Sequence, residues 1–169
     1  MRKFFYMIAF TLFFGLNSCI NPFSPKLIED ASNESILTDQ KTIEGVFQNF
    51  RYSYNFKDTV VYSKLLSEDF VFVFRNYDVG VDRSWGKSED VKSTYGLFQA
   101  ATNIDLIWND SYLVIGDSVE KNIQRGFTLT IVFSTSDVIR LQGKGNFKLR
   151  FNPVDSIWQI TYWRDDTYF

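Results

Sequence analysis

From residue 38 onward the apolar positions first recur at helical spacing and then alternate. Ile43, Val46, Phe47, Phe50 and Tyr54 fall on one face of a helix predicted from about Thr38 to Phe56, with Thr38 as its cap and Asp39 in the first turn. Asp58 can cap a second, short helix through Val61, Tyr62, Leu65 and Leu66. Phe70–Phe74 then reads as a buried strand, and residues 75–86 hold turn residues and a short strand. A third helix is expected from a Ser88 cap to Ala100. Glu89 and Asp90 lie at its positive end, and Val91, Tyr95 and Phe98 on its inner face.

The remainder reads as sheet. Strands are predicted at about 104–114, broken near Asn109-Asp110, and at 123–134, 139–151 and 157–164. Phe127, Leu129, Ile131 and Phe133 share a face of the second. Leu141, Gly143, Gly145, Phe147, Leu149 and Phe151 share a face of the third, where the two glycines permit a bulge or bend. In the last strand, strict alternation turns Trp158, Ile160 and Tyr162 one way and Gln159, Thr161 and Trp163 the other. Helix, helix, strand, helix and then consecutive long strands is an α+β order, with helices covering one face of a curved antiparallel sheet.

The N-terminal segment has a different character. Arg2 and Lys3 precede a charge-free run from Phe4 to Leu16, which is too short to span a bilayer and suits a signal-peptide core. Leu16-Asn17-Ser18-Cys19 resembles the bacterial lipoprotein box, and Cys19 is the chain's single cysteine. That resemblance implies cleavage after residue 18 and acylation of Cys19, hence a chain moored to the membrane by lipid. Residues 19–36, with Pro22, Pro25, Ser24, Ser32 and Asn33, read as a tether, and 37–169 as the folded domain. Ile20 and Asn21 follow the cysteine where an inner-membrane retention aspartate would stand, which favours the outer membrane of a bacterial envelope.

Removing residues 1–18 leaves 151 residues, about one domain, with 16 basic and 20 acidic side chains. A mildly acidic chain without a basic block argues against nucleic acid as a partner. The 18 Phe, 9 Tyr and 4 Trp point to an aromatic interior. With no histidine, Ser-His-Asp and Cys-His catalysis and a histidine base are excluded, and neither a metal nor a cofactor is expected.

Several segments carry a more specific likeness: Asn55-Phe56-Lys57-Asp58 between the first helices, Leu65 to Phe70 leading into the first strand, Trp85-Gly86-Lys87 before the third helix, and Ile157-Trp158-Gln159-Ile160 after the last turn. In order and spacing they resemble the nuclear transport factor 2-like superfamily, also called the cystatin-like cone, over about residues 38–166. The resemblance implies a sheet bent around the first helix to leave a conical pocket. It also implies a sheet face through which members often dimerise. Ketosteroid isomerases of this fold place an acidic base at the end of the first strand. Here that strand ends Phe72-Val73-Phe74-Arg75, which does not supply one.

Tyr54, Asp78, Trp85, Trp108 and Trp163 are the candidate pocket-lining residues, each with core packing or a solvated rim as the plainer role. The expected function is a lipid-anchored, non-catalytic module that binds a small apolar or aromatic molecule or a protein partner. The alternative is an isomerase or lyase using a carboxylate and tyrosines. A carboxylate with a raised pKa deep in the cone is the feature that would favour the alternative.

Overall fold

In a computed structural model, residues 37–166 are described, with the side chains of residues 110–112 set aside. The signal segment, Cys19 and the tether therefore lie outside the described residues. Among those described, no helix is long and apolar enough to cross a membrane.

Among the described residues, three helices and six strands occur in the predicted order. These are α1 (Ile43–Asn55), α2 (Thr59–Leu65), β1 (Leu66–Asn76), β2 (Val81–Gly86), α3 (Lys87–Ala100), β3 (Asn103–Gly116), β4 (Glu120–Ser134), β5 (Asp137–Asn152) and β6 (Ile157–Asp165). The strands form one sheet in the order β2-β1-β6-β5-β4-β3. Every neighbouring pair is antiparallel except β1 and β6, which run parallel. That parallel pair joins the first hairpin to the C-terminal meander, and the helices cover the sheet's inner face.

Helix α1 carries the core. Val46, Phe47 and Phe50 are fully buried and meet Phe147, Leu149 and Ile160 from the sheet, with Tyr62 and Leu65 from α2. Burying a large side chain of this kind contributes about 1.5–3 kcal/mol, so this face of α1 is the chief tie between helices and sheet.

Four details differ from the sequence reading. The cap of α1 is Thr42, whose hydroxyl accepts from Gly45 N at 3.0 Å. Thr38 lies outside the helix and is bonded to Asn49 and to the Gly45 carbonyl. The cap of α3 is Gly86, with Ser88 already inside the helix. The inner stripe of α3 is Asp90, Thr94 and Phe98, whereas Tyr95 is 54% exposed. A hydrophobic pattern cannot reveal a stripe whose first two members are polar.

The fourth difference lies in β6. Between Ile160↔Leu149 and Tyr162↔Lys148, β6 advances two residues while β5 advances one. This is a bulge at Thr161, and it reverses the alternation beyond it. Trp163 therefore joins Trp158 and Ile160 on the core side. Tyr162 turns outward, where the Lys148 ammonium stands 5.4 Å from its ring centre.

Candidate functional site

The bulge brings Trp163 into a continuous lattice of rings on the inner face. Its indole packs against Phe72 (centroids 4.8 Å apart), Phe50 (5.5 Å) and Phe147 (5.6 Å). Trp85 packs on Phe72 and Phe74, each at 5.0 Å. Trp108 packs on Phe47 and Phe50, at 5.1 and 5.3 Å. Gly145 makes this closeness possible: a Cβ there would stand 2.6 Å from Phe147 Cζ and 3.2 Å from Trp163 Nε1.

One group interrupts the aromatic interior. Asp90, on the inner stripe of α3, is only 4% exposed. Its Oδ2 accepts from the Tyr62 hydroxyl at 2.5 Å and its Oδ1 from Trp85 Nε1 at 2.8 Å. Burial pushes this carboxyl above the ordinary aspartate value, and the Tyr62 and Trp85 hydrogen bonds restrain the rise. Tyr62 is fully buried, and burial, then the neighbouring Tyr54 and Asp90, raise its phenol well above the usual range. Tyr54 is raised for the same first reason, with Asp90 and, more weakly, Asp165 adding to it, and Thr94 lies beside both hydroxyls. Both phenols are therefore neutral donors at pH 7. Four elements build the cluster: α1 gives Tyr54, α2 gives Tyr62, and α3 gives Asp90 and Thr94. Trp85 closes it from β2.

A second buried charge is already neutralised. Arg125 projects inward from β4, where its guanidinium makes a two-pronged pair with Glu44 (2.8 and 3.2 Å) and donates to the Asn109 carbonyl. It also lies 4.7 Å from the Phe47 ring centre. This is a tie between α1 and the sheet rather than a free anion site. Among the described residues no group of three His, Cys, Asp or Glu is placed to hold a metal ion.

The candidate residues separate accordingly. Tyr54 and Trp85 belong to the polar cluster. Trp108 is part of the core, its Nε1 donating to the Phe47 carbonyl at 3.0 Å. Trp163 is central to the ring lattice, and its buried Nε1 has no hydrogen-bond partner among the described residues. Asp78 stands apart in the exposed β1–β2 turn, where its backbone N–H donates to Asn76. Asp90, Tyr62 and Thr94 were missed. Asp90 reads in sequence as a helix-dipole acid and Tyr62 as one more apolar position, although Asp90-x-x-x-Thr94-x-x-x-Phe98 does hold a single helical face.

The outer face of the sheet bears a different network. Asp82 receives Arg75 (3.1 Å) and Arg164 (2.8 Å), and Arg164 also reaches Asp166 at 3.0 Å. Asp166 accepts from Asn146, which in turn accepts from Gln124. Arg164 and Asp166 are thus committed to this ladder.

No protein-family model and no curated protein matches the chain, but solved structures do. A conserved protein from Planctomyces limnophilus superposes with a TM-score of 0.67 at 17% identity, over 77% of this chain and 96% of that one. A protein from Novosphingobium aromaticivorans, provisionally assigned as a scytalone dehydratase, gives 0.64 at 14% identity, over 75% and 82%. A provisionally assigned dehydratase of the nuclear transport factor 2-like family from Streptomyces avermitilis gives 0.62 at 12%, over 78% and 97%. The fold is therefore that of the nuclear transport factor 2-like, or cystatin-like, cone. Such neighbours include both assigned dehydratases and proteins of unknown function, and at these identities the likeness speaks for the fold alone.

Proposed function

We propose that this protein is an envelope lipoprotein, acylated at Cys19, whose cone holds a small, flat, largely apolar molecule with one polar group. The polar group meets the Tyr54–Tyr62–Asp90 cluster, and Trp85, Phe72 and Trp163 supply ring faces. The observation that supports this best is Asp90: a carboxylate buried among rings, held by two donors, where an apolar residue would cost less to bury. Such a group gives an apolar site its orientation and specificity.

The same carboxylate favours one second reading, an acid–base lyase or isomerase. A carboxyl raised by burial, next to two neutral phenols, is suited to carry a proton in a chain that has no histidine. The two readings part at Asp90→Asn, which should largely keep binding by a pure binding module and abolish turnover by an enzyme.

Native mass spectrometry of the full chain from bacterial membranes tests the reading. A reproducible mass excess from a small molecule supports it, and a ligand-free spectrum under gentle extraction counts against it. For the anchor, Cys19→Ala should abolish labelling by a fatty-acid probe, and undiminished labelling would overturn the lipoprotein assignment.

A further inference from the structure

Pairing and hydrogen bonds place the start of the domain at one end of the sheet. Trp158 N donates to the Gln40 carbonyl at 2.9 Å, Phe151 pairs with Trp158, and Phe151 N donates to the Val119 carbonyl at 2.8 Å. The entering chain, the β5–β6 turn and the β3–β4 turn are therefore neighbours. The β1–β2 turn with Tyr77 lies at the opposite end, because β1 runs parallel to β6.

This entry end exposes apolar side chains. The β1–β2 turn at the opposite end does so too, with Tyr77, Val79 and Val81, and what singles out the entry end is that the anchored segment joins the domain there. Leu113, Val114 and Ile115 are consecutive and 49%, 51% and 56% exposed, Val119 across the turn is 52% exposed, and Val154 in the adjacent turn is 88% exposed. The three β3 residues do not share a face. Val114 pairs with the buried Ile123, on the inner side, whereas Leu113 and Ile115 pair with Gln124 and Asn122, on the outer side. A flat protein partner covers one face of a hairpin; a fluid apolar phase covers both.

We infer that this end of the domain rests on the lipid bilayer, with the β3–β4 hairpin and Val154 seated at headgroup depth. The inference rests on acylation of Cys19. Given that anchor, the chain between Cys19 and Leu37 reaches at most about 65 Å when fully extended, and it joins the domain at this end. Tethering raises the local concentration of the surface, so a contact too weak to recruit a free protein suffices. The hairpin tip sets the depth. Asp117 is turned into its own loop, where the Glu120 and Val119 N–H groups it accepts from hold its carboxyl below the usual aspartate value, and a carboxylate at the tip excludes immersion in hydrocarbon. Phe74 and Asp165, which pair at the far end of β1 and β6, are then turned to the aqueous side.

The test uses the full acylated chain in phosphatidylethanolamine–phosphatidylcholine vesicles, with a nitroxide on Val114→Cys, Val154→Cys or, as control, Tyr77→Cys. Mass spectrometry first establishes that Cys19 carries the lipid. The ratio of oxygen to polar nickel-complex accessibility should be severalfold higher at 114 and 154 than at 77. Equal ratios at all three sites in acylated chains would overturn the docking while leaving the anchor standing. A chain without acyl groups on Cys19 would overturn the anchor, and the docking with it.

Discussion

Replacing Asp90 by asparagine gives a stability change whose dependence on pH is fixed in sign by the structure. In the wild type the folded carboxyl has a pKa above 3.8, the ordinary value, chiefly because it is buried. Between those two values the folded state binds more protons than the unfolded state. Asp90's contribution to stability therefore falls as pH rises from about 3.8 through its folded pKa, and is constant above it. A pKa raised by one pH unit on folding removes about 1.4 kcal/mol of stability across that window. Exposed carboxylates act oppositely and in another range. Asp69, held down by Arg150 and Ser67, and Asp82, held down by Arg164 and Arg75, contribute stability above 3.8 that is lost as pH falls through their lowered values. Subtracting Asp90→Asn from wild type in urea unfolding between pH 4 and 7 thus isolates Asp90. The asparagine keeps one acceptor for Tyr62 or Trp85 and loses the other. The charged acceptor it replaces is worth about 1.5–3 kcal/mol in a hydrogen bond, offset by relief from burying a charge. The variant should accordingly gain on wild type as pH rises. A difference that stays flat from pH 4 to 7 would refute the claim that Asp90 is buried as an ionisable group.

Gly145→Ala should lower stability by about 1–3 kcal/mol in the same urea assay, since its Cβ would overlap the Phe147 ring within a closed lattice; an unchanged midpoint would show that the lattice yields. Trp108→Phe should cost about 1 kcal/mol more than Trp163→Phe, because only Trp108 Nε1 has a partner to lose, the Phe47 carbonyl; the reverse order would point to an undetected partner for Trp163. Phe50→Ala should cost about 3–5 kcal/mol by removing a ring shared between α1, α2 and the sheet, and a loss under about 1 kcal/mol would mean that the cone collapses around the gap.

The architecture was legible because its signals are periodic. The α1 stripe and the alternation in β4 and β5 each follow from spacing alone, and together they define a helix-covered sheet. The site was less legible, for two physical reasons. A buried polar residue is invisible to a hydrophobic pattern, which points α3 inward at Tyr95 rather than at Asp90 and Thr94. A bulge is invisible to strict alternation, which turns Trp163 to the outer face, whereas the register shift at Thr161 turns it inward. Tyr54 and Trp85 are visible in the sequence as aromatic positions, but the carboxylate that bonds Trp85 to Tyr62 is placed by helices that converge from separate parts of the chain. Asp78 lies in the exposed β1–β2 turn, where its backbone N–H is held by Asn76, in keeping with the plainer role of a solvated rim residue.

The central claim is that the Asp90 cluster is the polar contact of a bound molecule. Its most direct test is native mass spectrometry of the intact protein from bacterial membranes, in wild type, Tyr62→Phe and Asp90→Ala, with outer-face Asp82→Asn as control. The expected result is a small-molecule mass excess that persists in Asp82→Asn and is lost or strongly reduced in Asp90→Ala and Tyr62→Phe variants that remain folded. An excess of equal intensity in all four proteins, or none in wild type, would contradict the claim.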